Sequence, residues 1–306
     1  MVDSFLPISL RDACELFAAQ WNARFPDSPK SPEELALEYE MLEPGTHLEA
    51  WSRGGEACLV LTGIDATVPL ERCVGNVSGS PEVGHDTLTA SLAFLESRAR
   101  DLGATYLNLW SASIEDQWCE VLAAAGYHEI QRVPQNFLNL QECTHAPTPR
   151  QDEIRFCTIA DLEKEGVDWV PLLFESTSEI SEDVPNPYPS DRMNLDQYRV
   201  LLRNEAIYKL DLMFVAMDGP RIVGYTRLTP HTVRPDLVST GLSGVVRSHR
   251  RRGIMLGLKL WSIQVLKERG YALLKTENDE TNPMYQINLE VGFQRRWDWL
   301  QWEKTL

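Results

Sequence analysis

The chain has 306 residues, enough for two domains of ordinary size, and 43% of them are apolar, which suits a folded globular protein. Its net charge of -16 argues against nucleic acid and anionic membranes as main partners. No apolar run approaches the roughly 20 residues of a membrane helix, and the start of the chain lacks signal-peptide features. Six scattered cysteines without a Cys-x-x-Cys pair favour free thiols, and together these features predict a cytoplasmic location.

Hydrophobic periodicity and turn residues predict an alternation of helices and strands in the first half. In chain order these are helices over 9–25 and 31–42, strands over 47–52, 57–62 and 72–77, a helix with its apolar face on 88–102, a strand over 106–110, a helix over 117–125 and a strand over 135–140. Two prolines and a loss of periodicity between Cys143 and Asp152 then predict a linker.

The second half repeats this order. Its predicted elements are a strand over 154–158, helices over 167–180 and 194–204, strands over 212–217, 222–228 and 238–246, a helix over 254–269, a strand over 272–276, a helix ending at Val291 and a strand over 296–302. Subtracting about 167 takes Gly270 to Gly103 and brings Gly292 to within a residue of Gly126. The sequence therefore predicts a duplication, with domains over 1–145 and 152–306.

A basic turn, Arg250-Arg251-Arg252-Gly253, separates the strand that ends near Val246 from the long helix that starts at Ile254. Free N–H groups and the positive end of the helix dipole make such a turn an anion site. The same shift maps this turn onto Val83 to Asp86, where the first half has an acid. We therefore expect one functional anion site, in the second half.

The turn fits a coenzyme motif of Arg or Gln, two variable residues, Gly, one variable residue, and Gly or Ala, except that Met255 fills the last place. Downstream comes a run of matching residues, namely Thr276, Asn278, Asn282, Met284, Asn288 and Gly292-Phe293. On these residues the second half resembles the GNAT N-acetyltransferase superfamily, and the whole chain resembles its tandem branch, which includes mycothiol synthase. The resemblance implies an α+β fold of two tandem GNAT-like domains, each a mixed, mostly antiparallel sheet flanked by helices.

The resemblance also implies acetyl-CoA as co-substrate, no metal, and direct acetyl transfer to an amine. The residues expected to hold the coenzyme are Val245, Val246, Arg250, Arg251, Arg252, Gly253, Ile254, Met255 and Asn282. Backbone N–H groups and arginine side chains would bind the pyrophosphate, and the splayed strand would pair with the pantetheine arm.

Catalytic groups are less evident, because the strand before the basic turn carries no acid. Glu277, with Asp279 and Glu280 as alternatives, is a candidate base, and Tyr285 a candidate base or acid. Asn288 stands where many family members have a tyrosine that protonates the leaving thiolate.

A proline-rich segment over 181–193 occurs in the second half only and is expected to wall the acceptor pocket. Glu179, Glu182 and Asp183 could pair with a cationic small-molecule amine, and Tyr188 could stack on it. The protein would be a monomer or a homodimer. Other functions remain open, namely a non-catalytic acyl-CoA sensor or partner-binding module, and mycothiol synthase activity itself. Aminoglycoside-type and protein amino-terminal acceptors also remain open. Release of free thiol separates an enzyme from a sensor.

Overall fold

In this computed structural model, the described residues are 5–40, 46–54, 56–63, 72–80, 82–143, 154–185, 193–204 and 208–306. The helices are α1 (Leu10–Arg24), α2 (Pro32–Glu40), α3 (His85–Asp101), α4 (Asp116–Ala124), α5 (Ile159–Lys164), α6 (Trp169–Ser181), α7 (Leu195–Leu202), α8 (Ile254–Glu268) and α9 (Pro283–Val291). The strands are β1 (Leu6–Pro7), β2 (Leu48–Arg53), β3 (Ala57–Gly63), β4 (Arg72–Gly79), β5 (Tyr106–Ala112), β6 (His128–Asn139), β7 (Ile154–Thr158), β8 (Met213–Asp218), β9 (Arg221–Pro230), β10 (Leu237–Val245), β11 (Leu273–Glu277) and β12 (Gln294–Thr305).

All twelve strands belong to one sheet, in the order β1-β2-β3-β4-β5-β12-β6-β11-β10-β9-β8-β7. The β4–β5 and β10–β11 pairs are parallel, and the other pairs are antiparallel. The predicted mixed, mostly antiparallel sheet with flanking helices is thus confirmed. The short elements β1 and α5 were not predicted. None of the described helices is both long and apolar enough to cross a bilayer.

The last strand of each half lies among strands of the other half. β12 pairs with β5, where Trp302 lies opposite Leu109, and with β6 on its other side. β6 in turn pairs with β11, where Leu138 lies opposite Leu274. The sheet is therefore continuous across the two predicted domains. Their boundaries stay a prediction, because all of the predicted linker except Cys143 lies outside the described residues.

Two large apolar clusters follow this exchange of strands. The cluster between the second half's strands and helices α8 and α9 includes Leu258 and Leu274, and Leu138 joins it from β6. The cluster beneath α3 and α4 includes Leu95, and Leu300 joins it from β12. Truncating a buried leucine to alanine typically costs about 2–5 kcal/mol. Each half therefore depends on a strand from the other for part of its core.

Candidate active site

The amino end of α8 lacks a capping side chain. Its N-cap is Gly253, in the left-handed conformation with φ of 71° and with no side-chain hydrogen bond to the first turn. By contrast, Asn282 caps α9 and Asn194 caps α7. The first N–H groups of a helix have no partner within the helix. Those of α8 are consequently available to an anion.

Backbone conformation, rather than packing, requires glycine at this turn. A Cβ built on Gly253 would have no other atom within 4 Å, but its φ of +71° is one that other residues rarely adopt. Arg251 has a φ of 60°, and a left-handed conformation costs a non-glycine residue roughly 1–2 kcal/mol. Such cost is often found where a turn has a function.

A cavity of about 580 Å³ lies at this turn, between the end of α6, the end of β10 and the first turns of α8 and α9. Its volume falls in the range of roughly 300–1,000 Å³ that is usual for ligand pockets. The predicted coenzyme residues that line it are Val245, Arg250, Arg251, Gly253, Ile254, Met255 and Asn282. Val246 and Arg252 are not among the lining residues. The structure thus brings together most of the predicted set, and their binding role stays a prediction.

Strands β10 and β11 separate next to this cavity. They pair only over Leu237–Ser239 and Leu273–Lys275, and β10 then continues beside β9 alone. The β9–β10 register shifts between Thr240 and Ser243, which marks a bulge at Gly241 and Leu242. Beyond Ser239 the edge of β10 that faces β11 has no strand partner among the described residues, so it can pair with an extended ligand.

Arg250 connects the basic turn to the end of β10 and to Asp183, just beyond α6. Its Nε donates to the Val245 carbonyl at 3.0 Å, and its guanidinium pairs with Asp183. Arg247 also binds Asp183, at 2.9 Å. Hydrogen bonds from Arg247 and Arg250 lower the pKa of Asp183 to about 2. Asp183 therefore remains ionised at neutral pH and holds the end of α6 against the turn.

The other predicted acceptor-binding acids lie in the same cluster. Glu182 pairs with Arg247 at 3.1 Å, and Glu179 accepts the backbone N–H of Arg247 at 2.5 Å. Tyr188 lies outside the described residues. Their role toward a cationic acceptor stays a prediction, while their present contacts stabilise the anion site.

The three predicted catalytic residues lie in different surroundings. Glu277 is exposed at the end of β11. Tyr285 is largely buried in the first turn of α9. Asn288 has no exposed surface, and its Nδ2 donates to Asn278 at 2.5 Å. Asn288 thus joins α9 to the loop after β11, and the catalytic roles of all three stay predictions.

Of the three acids at and just after the end of β11, only Glu277 lacks a side-chain partner among the described residues. Burial raises the pKa of Asp279, but hydrogen bonds from Thr281 outweigh it and leave that pKa below its usual value. Glu280 pairs with Arg295. A general base must be free to accept a proton, so these contacts favour Glu277.

Comparison with solved structures identifies the architecture. Over 98% of this chain and 95% of the other, it is similar to a GCN5-related N-acetyltransferase from Sphaerobacter thermophilus, with a TM-score of 0.72 and 15% identity. A tandem GNAT protein from the clavulanic acid biosynthesis pathway matches over 98% of each chain, with a TM-score of 0.71 and 18% identity. The fold is that of the GNAT N-acetyltransferases.

A third similar structure is a GCN5-related glucosamine N-acetyltransferase region of a fungal multi-domain GH3 β-N-acetylglucosaminidase. The alignment covers 99% of this chain and 38% of the fungal chain, with a TM-score of 0.66 and 16% identity. The sequence matches no protein-family model and no curated protein. The predicted GNAT resemblance is confirmed at the level of fold, and the likeness to mycothiol synthase stays a hypothesis.

The corresponding gap in the first GNAT-like half is filled. β4 and β5 stop pairing after Gly75 and Leu109, as β10 and β11 do after their own short register. Aromatic side chains occupy the space beyond, and the cavity there measures only about 40 Å³. They are Phe17, Trp21, Phe25, Trp110 and Trp299. This gap has no room for a pantetheine arm.

The turn before α3 is also closed. Val83 packs against Gly79, where a Cβ would approach Val83 Cγ1 to 2.8 Å. Asp86 lies in the first turn of α3, where it repels an anion. A half-buried ion pair of Arg24 and Glu115 borders the filled gap. The sequence predicted the acid at this turn but not the ion pair, because Arg24 and Glu115 are far apart in the chain.

Proposed function

We propose that this protein is an N-acetyltransferase that moves an acetyl group from acetyl-CoA to the primary amine of a small molecule. One observation carries the proposal, namely the uncapped amino end of α8, which opens into a cavity beside two separating strands. The fungal region with the same fold, described as a glucosamine N-acetyltransferase, supports a small amine as acceptor.

Residues of the second half fit the coenzyme. The first N–H groups of α8 and the Arg251 guanidinium would bind its pyrophosphate, and Gly253 leaves room for close approach. The free edge of β10 at Ser243 and Gly244 would pair with the amides of the pantetheine arm. The bound coenzyme supplies an acetyl group already activated as a thioester. The chain contributes orientation, which can remove a large part of the barrier.

Proton transfer is assigned to groups around the gap between β10 and β11. Glu277, exposed at the end of β11, would take the proton of the amine directly or through water. Tyr285 is the candidate donor to the leaving thiolate, because its helix borders the cavity through Met284 and Ile287. Asn288 would act as a positioning residue through its bond to Asn278.

Two measurements test the proposal. Calorimetry should show acetyl-CoA binding, and thiol detection should show release of free coenzyme A that depends on an added amine. Glu277→Gln should lower kcat about 100- to 10,000-fold with little change in acetyl-CoA affinity. Glu280→Gln, which removes an acid already paired with Arg295, is the matched control.

The outcomes separate the alternatives. Acetyl-CoA binding without thiol release for any amine would favour a non-catalytic acyl-CoA sensor. Absence of acetyl-CoA binding would reject both the enzyme and the sensor.

A further inference from the structure

Arg227 is unusual among the arginines of this acidic chain. The structure pairs most of them with carboxylates, for example Arg98, Arg234 and Arg295. Within the described parts of the chain, Arg227 has no carboxylate partner. Its guanidinium carbon lies 4.7 Å from the centroid of the Tyr208 ring, and its buried Nε has no hydrogen-bond acceptor among the residues that the structure describes.

An unsatisfied buried N–H is costly, and more so on a charged group. The Tyr208 ring compensates the charge in part through a cation–π contact, but it does not accept the Nε–H bond. Nε itself lies against Gly241, but Arg227 as a whole is only half-buried, so a ligand oxygen would bind the accessible part of the guanidinium. An arginine fork is suited to a carboxylate in particular, which it can bind through two parallel hydrogen bonds.

Arg227 lies near the point where β10 and β11 stop pairing, which is the closed end of the gap between them. Gly241, at the bulge of β10, has room for the guanidinium, since a Cβ there would lie 2.6 Å from Nε and Nη2 of Arg227. Gly241 precedes Ser243, a residue of the coenzyme cavity, by about 7 Å of extended strand. The guanidinium is therefore close to where the acetyl group would lie.

The same face of the sheet also carries the candidate base. Thr229, Ser239 and Lys275 are opposite one another on β9, β10 and β11, so their side chains share a face. Side chains alternate between the two faces along each strand, so Arg227, two residues from Thr229, and Glu277, two residues from Lys275, lie on that face as well. Both are level with Gly241 along the strand direction, and they lie on opposite sides of the gap. Two strand spacings separate them, about 10 Å before the strands diverge. Lys275 adds a second cation to this face, and its Nζ donates to Ser28 at 3.3 Å.

We infer that the acceptor is a zwitterion, an amine that also carries a carboxylate, and that Arg227 binds the carboxylate while the amine faces Glu277. This inference rests on the proposed function and names its substrate class. It is compatible with a cationic amine group, because that group is protonated until the base removes its proton. Tyr208 holds the plane of the guanidinium, and Gly241 leaves space for it.

The test uses pairs of acceptors that differ only in the charged group. Amino acids with increasing separation of amine and carboxylate are compared with their primary carboxamides, using acetyl-CoA and thiol detection. We expect kcat/KM to be about 10- to 100-fold higher for the preferred amino acid than for its carboxamide, as suits one charge-assisted contact.

Arg227→Gln should remove this preference, mainly by raising KM for the amino acid, because the contact is distant from the reacting atoms. It should lower the carboxamide's kcat/KM far less than the amino acid's and leave the acetyl-CoA affinity unchanged. Arg221→Gln is the matched control, since Arg221 lies on the same strand but is exposed and near Glu175. If Arg227→Gln does not fold, Gly241→Ala provides a second variant, in which the new methyl group displaces the guanidinium.

The inference is overturned if carboxamides react as well as amino acids, if Arg227→Gln slows both members of a pair equally, or if no amino acid is acetylated. Failure of the proposed function is a different result, because it appears as loss of acetyl-CoA binding or of amine-dependent thiol release altogether.

Discussion

Substituting Gly253 by aspartate tests the anion site most directly. The residue is the N-cap of α8, and the space around its missing Cβ is open. An aspartate carboxylate would accept the free N–H groups of the first turn, as capping residues do. It would also place a negative charge where the pyrophosphate of acetyl-CoA is proposed to bind.

The expected loss of affinity follows from electrostatics. Two like unit charges about 4 Å apart repel by about 4 kcal/mol at an effective dielectric constant near 20. With half of that lost to solvent and salt screening, the Kd for acetyl-CoA still rises about 30-fold. Strain from the positive φ should separately lower the free energy of unfolding by about 1–2 kcal/mol.

Calorimetry with acetyl-CoA is the assay, and Gly166→Asp is the matched control. Gly166 has a φ of +75° with nothing within 4 Å of its Cβ, so it reproduces the strain and the added charge away from the cavity. We expect both variants to lose stability in urea, Gly253→Asp less because its carboxylate also caps α8, and only Gly253→Asp to lose coenzyme affinity. Undiminished binding by Gly253→Asp would show that no diphosphate binds at this helix end.

Three further predictions concern stability. Arg24→Met should lower the free energy of unfolding by about 1–3 kcal/mol, because it leaves the half-buried Glu115 carboxylate without its charged partner. The Arg24→Met/Glu115→Leu double variant should recover most of this loss, and equal losses in both variants would contradict the prediction. Burial lowers the pKa of Lys259 to about 7 in the folded protein. Between pH 7 and 10 the lysine is therefore more protonated in the unfolded chain than in the folded one. The free energy of unfolding should consequently rise by about 1 kcal/mol for each pH unit in this range. Lys259→Met should therefore be more stable than the natural chain at pH 7, with an advantage in urea titrations that shrinks toward pH 10; a constant difference would refute the buried charge. β6 and β12 each lie among strands of the opposite half, so neither fragment 1–145 nor fragment 152–306 should fold by itself. Circular dichroism should show each fragment unfolded alone and both folded when they are coexpressed. A single fragment that unfolds cooperatively would disprove this dependence.

Local signals in the sequence were sufficient for the order of the longer elements and for the turn at which the anion site is predicted. Gly103, Gly126, Gly270 and Gly292 end helices with positive φ, which is why they also marked the internal repeat. The motif around Gly253 was readable for the same reason, because a helix start and its conformation depend on a few adjacent residues.

Contacts between distant residues were decided only by the tertiary structure. The alternation of apolar and polar residues in β6 and β12 predicts strands but does not say which strands they pair with. The exchange of strands between the halves could therefore not be foreseen. Asp183, whose predicted contact with an acceptor amine stays a prediction, pairs in the structure with Arg247 and Arg250, more than 60 residues away. Arg227 has no sequence signal at all. Its position beside the gap between β10 and β11, from which the carboxylate of the substrate is inferred, results from the packing of β9 against a bulge in β10.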